Sequence, residues 1–241
     1  MGKYYYDLHT HSCLSPCGSN DATPASMAGF GVLNGLNILA LTDHNSCANC
    51  PAFFRAAREY GLVPVAGMEL TTAEDIHAVC LFETLEAALD FNREVEKRQM
   101  PVKNREEIFG EQLIMNENDE VIGRKENLLI TATDISLEEA PTLVKAFGGV
   151  CYPAHIDREA NGVIAVLGDF PPEPVFSCAE LRDPANAKAY RAAYPILQNK
   201  TLVFSSDAHD LAAINGRVNS FELAGESERE IVRSLFERLR R

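Results

Sequence analysis

The chain has 241 residues, 46% of them hydrophobic, and a formal net charge of −13 at pH 7. This length suits one barrel domain or two small domains, and the ordinary glycine, proline and aromatic contents exclude collagenous, coiled-coil and disordered classes. The negative charge disfavours long nucleic acids, whose affinity comes mainly from phosphates paired with cationic side chains. A small phosphorylated anion remains compatible, because bound metal cations reverse the local charge.

Short, nearly continuous apolar runs recur along the chain and predict strands buried on both faces, as in parallel sheets. The predicted strands are Tyr4–Leu8, Ile38–Leu41, Val63–Met68, Ala78–Phe82, Val150–Tyr152, Ala179–Leu181 and Leu202–Phe204. The helical patterns between and after them are Thr23–Gly35, Pro51–Tyr60, Leu85–Arg98, Leu137–Phe147, Asn186–Leu197 and a C-terminal helix opened by a capping box of Ser227 and Glu230. This alternation predicts an α/β fold with a parallel sheet, open or closed into a barrel.

The stretch 101–133 breaks the alternation of strands and helices. Gln112–Met115 and Val121–Ile122 flank the sequence Asn116-Glu117-Asn118-Asp119, which is typical of a hairpin turn. We therefore expect a single domain over residues 1–241, with residues 101–133 as an insertion that contains a hairpin.

The N-terminal residues and the cysteines bear on the cellular compartment. No apolar stretch typical of a secretion signal precedes Asp7, and no segment approaches the roughly 18 apolar residues of a membrane helix. The seven cysteines are odd in number, which indicates free or metal-bound thiols in a reducing compartment. We expect a cytoplasmic protein without a membrane partner, and the sequence leaves the oligomeric state open.

The histidines concentrate at the ends of predicted strands. A lone histidine is usually a surface residue or a hydrogen-bonded core residue. Here five of the six histidines follow a strand directly and the sixth lies at the start of one, and carboxylates occupy the same strand ends. Barrel enzymes place their chemistry at the C-terminal ends of the strands, where distant segments converge. The histidines are His9, His11, His44, His77, His155 and His209, and the carboxylates are Asp7, Asp43, Glu69 and Asp207.

The spacing of these residues is typical of metal ligands. Alternate residues of a strand point to the same face, so His9 and His11 can reach one ion. Asp207 and His209 repeat this spacing with a carboxylate. A mixed shell of histidine, aspartate and glutamate suits Zn²⁺, Mn²⁺ or Fe²⁺. The ordered set therefore predicts a metal site at these strand ends.

Taken together, the motifs resemble those of the polymerase and histidinol phosphatase (PHP) domain family. The matching segments are Asp7-Leu8-His9-Thr10-His11-Ser12, Thr42-Asp43-His44, Gly67-Met68-Glu69, His77, Pro153-Ala154-His155 and Ser206-Asp207-Ala208-His209. They lie within residues 4–210, which is most of the chain. The resemblance implies a distorted seven-stranded (β/α) barrel, two or three divalent metal ions and hydrolysis of phosphate esters.

The resemblance also implies a ligand set. It assigns to the first ion His9, His11, Glu69 and Asp207; to the second His44 and His209; and to the third Glu69 as a bridge, His77 and His155. Related amidohydrolases also begin with H-x-H, and many bridge their metals with a carbamylated lysine. No lysine ends a predicted strand here, and Glu69 takes the bridging place, which favours the phosphoesterase group.

One ligand of the second ion is open between two residues. The family places a further histidine or aspartate shortly after the H-x-H motif. In this chain Asp21 stands just before a predicted helix, as the family's aspartate does, but after a longer loop, whereas Cys17 lies nearer the family's spacing. We prefer Asp21.

Asp43 and Arg158 are the predicted catalytic residues beside the ligands. Arg158 follows His155 by three residues, so it either holds the non-bridging oxygens of a phosphate or is a solvated loop residue. Asp43 either orients a ligand or carries a proton. Glu180 ends the sixth predicted strand and is either a pocket wall or a buried partner near Arg182. The predicted reaction is hydrolysis of a small phosphate mono- or diester, with nucleotides among the candidates, by a metal-activated water.

Two cysteine pairs follow the first two metal motifs. If the first two strands are neighbours, Cys13, Cys17, Cys47 and Cys50 could meet and hold Zn²⁺ or an iron–sulfur cluster, or form reversible disulfides. Otherwise they are free thiols packed as small apolar groups. The pairs and the insertion support an alternative function: a non-catalytic or regulatory module that senses metal or redox state on the same barrel.

Overall fold

The computed structural model describes residues 1–241. Its strands are β1 (Gly2–Asp7), β2 (Ile38–Leu41), β3 (Val63–Thr71), β4 (His77–Phe82), β5 (Leu113–Met115), β6 (Val121–Arg124), β7 (Val150–Pro153), β8 (Cys178–Leu181), β9 (Thr201–Phe204) and β10 (Ser220–Leu223). Its helices are α1 (Pro24–Leu33), α2 (Cys50–Glu59), α3 (Leu85–Arg98), α4 (Glu106–Phe109), α5 (Ala140–Ala146), α6 (Val163–Leu167), α7 (Ala187–Ala193) and α8 (Glu228–Leu239).

Six strands form one curled sheet in the order β10-β1-β2-β3-β4-β7, and β8 and β9 form a separate parallel pair. The α/β fold is confirmed, and a strand forms at each of the seven predicted positions. The closed seven-stranded barrel is not confirmed. No ladder joins β7 to β8, and the segments of β1 and β9 share only the bridge between Thr10 and Ala208.

The strand directions depart from an all-parallel sheet. β1, β2 and β3 are parallel, whereas β4 runs antiparallel to both β3 and β7. Only residues 72–76 connect β3 to β4, which is too short for the crossover that a parallel pair requires. The start of β4 therefore lies beside the end of β3, and His77 pairs directly with Thr71.

Both faces of the sheet are buried, as the continuous apolar runs predict. In β2, Ile38 and Ala40 belong to one core cluster, while Leu39 and Leu41 belong to the other. This division follows from the alternation of side chains along a strand. Helix α8 adds Leu235 and Phe236 to the first of these clusters.

The helices follow their sequence signals at the N-termini and shorten where proline intervenes. Thr23 caps α1 by accepting a hydrogen bond from the Ser26 amide, and Ser227 and Glu230 form the expected capping box on α8. The predicted helix Asn186–Leu197 is divided into α7 and a 3₁₀ segment that begins at Pro195, since proline cannot continue the helical hydrogen bonds. None of the helices is both long and apolar enough to cross a membrane.

The hairpin expected in residues 101–133 is present as β5 and β6. It is attached to the loop after β2 by Asn49, whose side-chain amide donates to the Leu113 carbonyl and whose side-chain oxygen accepts from the Met115 amide. Asn45 donates to the carbonyls of Leu129 and Thr131 at distances of 2.7 and 2.9 Å. The inserted segment is therefore held against the loop that carries His44.

Gly67 of β3 pairs with Leu81 of β4, and its replacement tests how closely the two strands pack. A Cβ at this position would lie 2.4 Å from the Cys80 carbonyl oxygen and 2.8 Å from Leu81 Cδ2. We expect Gly67→Ala to lower the free energy of unfolding by about 1–3 kcal/mol, the usual cost of overpacking. Urea denaturation of the metal-free protein measures this change.

Gly29→Ala is the matched control for this prediction. Its Cβ would meet only a Tyr60 ring atom at 3.9 Å, and alanine is favoured over glycine within a helix. This variant should be as stable as the parent or slightly more stable. Equal stability of the two variants would contradict the close approach at Gly67.

Candidate metal centre

The strand ends bring all six histidines to one edge of the sheet. His9 and His11 follow β1, His44 follows β2, and His155 follows β7; His209 lies beyond β9, while His77 begins β4. Asn45, His155 and Asp207 have positive φ angles of 46°, 26° and 54°. Residues other than glycine rarely adopt this conformation, and such backbone strain clusters at functional sites.

Glu69 is the centre of this arrangement. Its carboxylate is 1% exposed and lies within 3.4 Å of a nitrogen of five histidines. The distances are 3.4 Å to His9 Nε2, 3.3 Å to His11 Nε2, 3.0 Å to His44 Nδ1, 2.8 Å to His77 Nδ1 and 2.9 Å to His155 Nε2. Its two oxygens divide these contacts, since Oε1 faces His9, His77 and His155.

Three groups of side chains have donor atoms close enough to share a metal ion. They are His9, His11, Glu69 and Asp207; His11, His44 and His209; and His44, Glu69 and His77. The first group has the same members as the ligand set implied for the first ion. His155 belongs to none of the three, but it contacts the same Glu69 oxygen as His77.

The donor atoms of these residues fit a cation. His44 Nδ1, His77 Nδ1, Glu69 Oε2 and Asp207 Oδ1 are all buried without a hydrogen-bond partner. Unpaired buried polar atoms are costly, and a shared cation satisfies several lone pairs at once. Imidazole and carboxylate together suit Zn²⁺, Mn²⁺ or Fe²⁺.

His9 and His11 are each oriented by a hydrogen bond on the ring nitrogen that faces away from Glu69. His9 Nδ1 lies 2.8 Å from Glu180 Oε1, and His11 Nδ1 lies 2.9 Å from the Ser15 hydroxyl. Asp43 accepts from that hydroxyl at 2.7 Å, as well as from the amide and hydroxyl of Ser12. When both Nδ1 atoms carry the proton, the Nε2 lone pairs of His9 and His11 point towards a common position. The two Nε2 atoms are 3.1 Å apart.

The sequence-predicted catalytic residues lie around this cluster. Asp43 reaches His11 only through Ser15, a position that is compatible with orienting this ligand. Arg158 Nη1 lies 2.9 Å from Asp207 Oδ2. Arg158 therefore lies beside a ligand while its side chain stays partly exposed, and its phosphate-binding role stays a prediction.

Glu180 is the residue whose role the sequence left undecided. Its Oε1 receives both the His9 ring nitrogen and the backbone amide of His155 at 3.0 Å. Glu180 is fully buried within β8. A carboxylate among otherwise apolar strand residues was the sequence signal that could have indicated its role. Its partners are His9 and His155, not Arg182.

Asp21 is not brought to the cluster. It is exposed, and its amide donates to Ser19 within its own loop. Cys17 is exposed as a whole residue, but its thiol is partly buried and feels the charge of Glu69. Burial and this charge raise the pKa of the thiol to about 12. The longer loop after the H-x-H motif carries Asp21 outwards, so the preference for Asp21 over Cys17 is not supported. Neither residue belongs to the three groups.

The four cysteines of the two pairs do not meet. Cys13 packs with Leu113 of the insertion, whereas Cys47 and Cys50 both contact the Gly67 carbonyl, at 3.2 and 3.7 Å. No cysteine belongs to a potential metal-binding group, and all seven are free. The structure therefore does not form the thiolate site that the sequence left open, and Cys47 and Cys50 are packed as free thiols.

The charges of the cluster balance one another in the absence of metal. Burial alone would raise the pKa of Glu69, but its interactions with His77, His9 and His44 hold it well below its usual value. Burial alone would lower the pKa of His11, but hydrogen bonds to Asp207 and Glu69 raise it to about 9. The pKa of His9 is likewise raised, mainly by Glu180 against the effect of burial.

The other two histidines of the cluster with shifted values are held neutral. Burial lowers the pKa of His44 to about 3, and the charge of Glu69 offsets only part of this shift. Burial and the charge of His11 lower the pKa of His209 to about 4. A buried cluster of imidazoles and ionised carboxylates at the strand ends of an α/β sheet is typical of a metal-binding α/β protein.

The PHP domain model matches residues 7–137, more than half of the chain. The chain therefore belongs to the PHP domain family.

Relatives of known name share part of this similarity. A 5′-3′ exoribonuclease of Haemophilus influenzae is 34% identical over 79 residues, which are 32% of this chain and 28% of the exoribonuclease. The chain spans less than a third of the length of the curated relatives it matches.

Solved structures share the fold at low sequence identity. The lesion-specific endonuclease Q of Pyrococcus furiosus superposes with a TM-score of 0.66 and 18% identity, over 98% of this chain and 56% of that one. A protein of Bifidobacterium adolescentis assigned as a metal-dependent phosphoesterase superposes with a TM-score of 0.55 and 18% identity, over 95% and 96% of the two chains.

The raised pKa values of His9 and His11 predict that metal binding releases protons. Metal ligation requires unprotonated Nε2 atoms, and His11 is protonated below a pH of about 9 in the metal-free protein. The apparent affinity should therefore rise with pH until about pH 9, where His11 loses its proton in the metal-free protein.

Calorimetric titration with Mn²⁺ or Zn²⁺, in buffers that differ in ionisation enthalpy, counts the released protons. We expect roughly one to two protons per chain at neutral pH, from these two histidines. Binding with no proton release at pH 7 would contradict the ligand roles of His9 and His11.

Proposed function

We propose that this protein is a metal-dependent phosphoester hydrolase that acts on a small phosphorylated substrate. The observation that carries the proposal is the Glu69 carboxylate, buried and within 3.4 Å of five imidazoles. Membership of the PHP domain family supports it. Solved phosphoester-cleaving proteins with the same fold add support for the architecture.

The proposed ligands are the nine residues of the sequence analysis with Asp21 removed. They are His9, His11, His44, Glu69, His77, His155, Asp207 and His209. Two or three Zn²⁺, Mn²⁺ or Fe²⁺ ions would supply Lewis-acid stabilisation and lower the pKa of an attacking water. Glu69 would contact more than one ion, because its two oxygens face different histidines.

Residues around the ligands complete the proposed chemistry. Asp43 accepts a hydrogen bond from Ser15, and Ser15 is hydrogen-bonded to the His11 ring. These two hydrogen bonds would fix the direction of the His11 lone pair without contact to the substrate. Glu180 does the same for His9. Arg158 is half-exposed at the rim, and its guanidinium would bind the non-bridging oxygens of the phosphate.

The substrate class follows from the charge balance. A net charge of −13 opposes the approach of a long polyanion, whereas a small ester approaches a site whose sign is reversed by cations. Endonuclease Q has been crystallised with a 27-mer duplex that carries an abasic lesion, so the fold itself accommodates nucleic acid. We propose a nucleotide-sized phosphate mono- or diester for this chain.

The alternative of a regulatory redox or metal sensor loses its main support. It depended on four cysteines meeting above the sheet, and the structure separates Cys13 from Cys47 and Cys50. The seven free thiols remain consistent with the proposal that the protein acts in a reducing cytoplasm.

Loss of one ligand should abolish the hydrolysis of phosphate esters. We expect His9→Ala and Asp207→Ala to reduce the kcat of the Mn²⁺-loaded protein on an aryl phosphate by at least about 100-fold, since even the loss of an outer partner of a ligand commonly costs 10- to 100-fold. Asp90→Ala, which removes an exposed carboxylate from α3, should retain full activity. Equal activity of all three variants would disprove the proposed site.

Glu69→Gln and His77→Ala should differ in metal stoichiometry. An amide offers one neutral acceptor and one donor that repels a cation, so Glu69→Gln should lose more than one metal ion per chain. His77 contacts only one Glu69 oxygen, Oε1, and belongs to only one of the three groups. His77→Ala should therefore lose one ion or less. Elemental analysis after dialysis measures the ions, and circular dichroism establishes that both variants are folded. Full occupancy in Glu69→Gln would show that Glu69 does not bridge.

A further inference from the structure

A cleft of about 430 Å³ opens at the rim of the candidate metal centre. Two arginines, Arg158 and Arg182, lie in its wall together with polar residues of the last loops, Ser206 and Asn215. The position of Arg182 in the structure links the cleft to the ligand Asp207.

The two oxygens of the Asp207 carboxylate face different groups: one faces the histidines, and the other faces the two arginines. Its Oδ1 faces His11 Nε2 at 3.3 Å, and this oxygen has no hydrogen-bond partner. Its Oδ2 lies 2.9 Å from Arg158 Nη1 and 3.9 Å from Arg182 Nε. Both guanidinium groups therefore stand next to the site where a phosphate would be cleaved.

The two arginines come from different loops, and Asp157 joins these loops. Its carboxylate accepts hydrogen bonds from the backbone amides of Arg182 and Asp183, at 3.0 and 3.2 Å, and from the side-chain amide of Asn186 at 3.1 Å. Asp157 precedes Arg158 in the sequence, so one carboxylate fixes the backbone of both arginines. Neither guanidinium forms an ion pair with Asp157; both face Asp207 instead.

The guanidinium groups retain free donors. The Arg182 side chain is half-exposed and makes no hydrogen bond within the protein, and Arg158 uses one nitrogen on Asp207. Asp183, the other carboxylate of the cleft, accepts from the Ala185 amide at the start of a 3₁₀ turn. The cleft therefore presents two cations with several unused N–H groups to a ligand.

We propose that Arg182 and Arg158 together bind a terminal phosphomonoester of the substrate, and that Asp157 is the positioning residue for Arg182. The inference rests on the proposed function and specifies its substrate. A monoester carries up to two negative charges and three non-bridging oxygens, which matches two planar forks of donors. An internal diester offers one charge and two such oxygens, and leaves one guanidinium without a partner.

The first experiment compares two esters on the Mn²⁺-loaded protein. Arg182→Gln should raise KM for p-nitrophenyl phosphate by about tenfold to a hundredfold, the usual effect of losing a hydrogen bond to a charged group. KM for bis(p-nitrophenyl) phosphate should change by less than about threefold. Arg182→Lys should recover part of the loss, because it keeps the charge but not the two-pronged geometry.

Two further variants separate positioning from a general effect of charge. Asp157→Asn should raise KM for the monoester by less than Arg182→Gln does and leave the diester unchanged, since it acts through the loop of Arg182. Arg233→Gln removes the same charge from the exposed face of α8 and should leave both KM values unchanged. Equal effects of Arg182→Gln on the two esters, or no effect beyond that of Arg233→Gln, would overturn the inference.

A binding measurement keeps this test independent of turnover. Inorganic phosphate should raise the Tm of the metal-loaded parent protein and of Arg233→Gln, and should raise that of Arg182→Gln much less. If the parent hydrolyses neither ester with any metal, the proposed function fails while this measurement still decides whether the cleft binds phosphate. An identical phosphate-induced shift in Arg182→Gln would exclude Arg182 from the site.

Discussion

The burial of the Glu69 carboxylate is the constraint on which the rest of the site depends. An ionised carboxylate removed from water is costly by several kcal/mol unless charges and hydrogen bonds compensate for it. Here the compensation comes from five imidazoles that belong to segments far apart in sequence. The ends of the strands must therefore converge on one point, and any closure of the sheet that separated them would leave this charge unpaired.

The compensating histidines are not equivalent. His9 and His11 have raised pKa values and balance the negative charge of Glu69 and Asp207, while burial keeps His44 and His209 neutral. Protons and metal cations thus compete for the same two Nε2 atoms. Glu180 and the Asp43–Ser15 pair keep these atoms directed inwards in either state.

Much of this site was predictable from the order of residues, because ligands at strand ends converge by the geometry of a sheet. His77 fitted that pattern poorly, since it precedes its strand. The structure explains the exception: β4 is antiparallel to β3, so its first residue and the end of β3 lie at the same edge. The closed barrel was harder to predict, because strand periodicity identifies strands but not the ladders between distant ones. Asp21 and Glu180 depended on the path of loops and on side-chain partners, for which a single sequence carries little signal.

The first and last ligand segments are bonded directly to each other. The Asp7 carboxylate accepts the amides of Ser206 and Asn215, both at 3.0 Å, and Thr10 forms a parallel bridge with Ala208. Contacts of such long sequence separation carry the entropic cost of closing the intervening chain. During synthesis from the N-terminus, His9, His11 and Glu69 emerge long before Asp207. A growing chain therefore carries an incomplete set of ligands, and full metal loading must await the last strands.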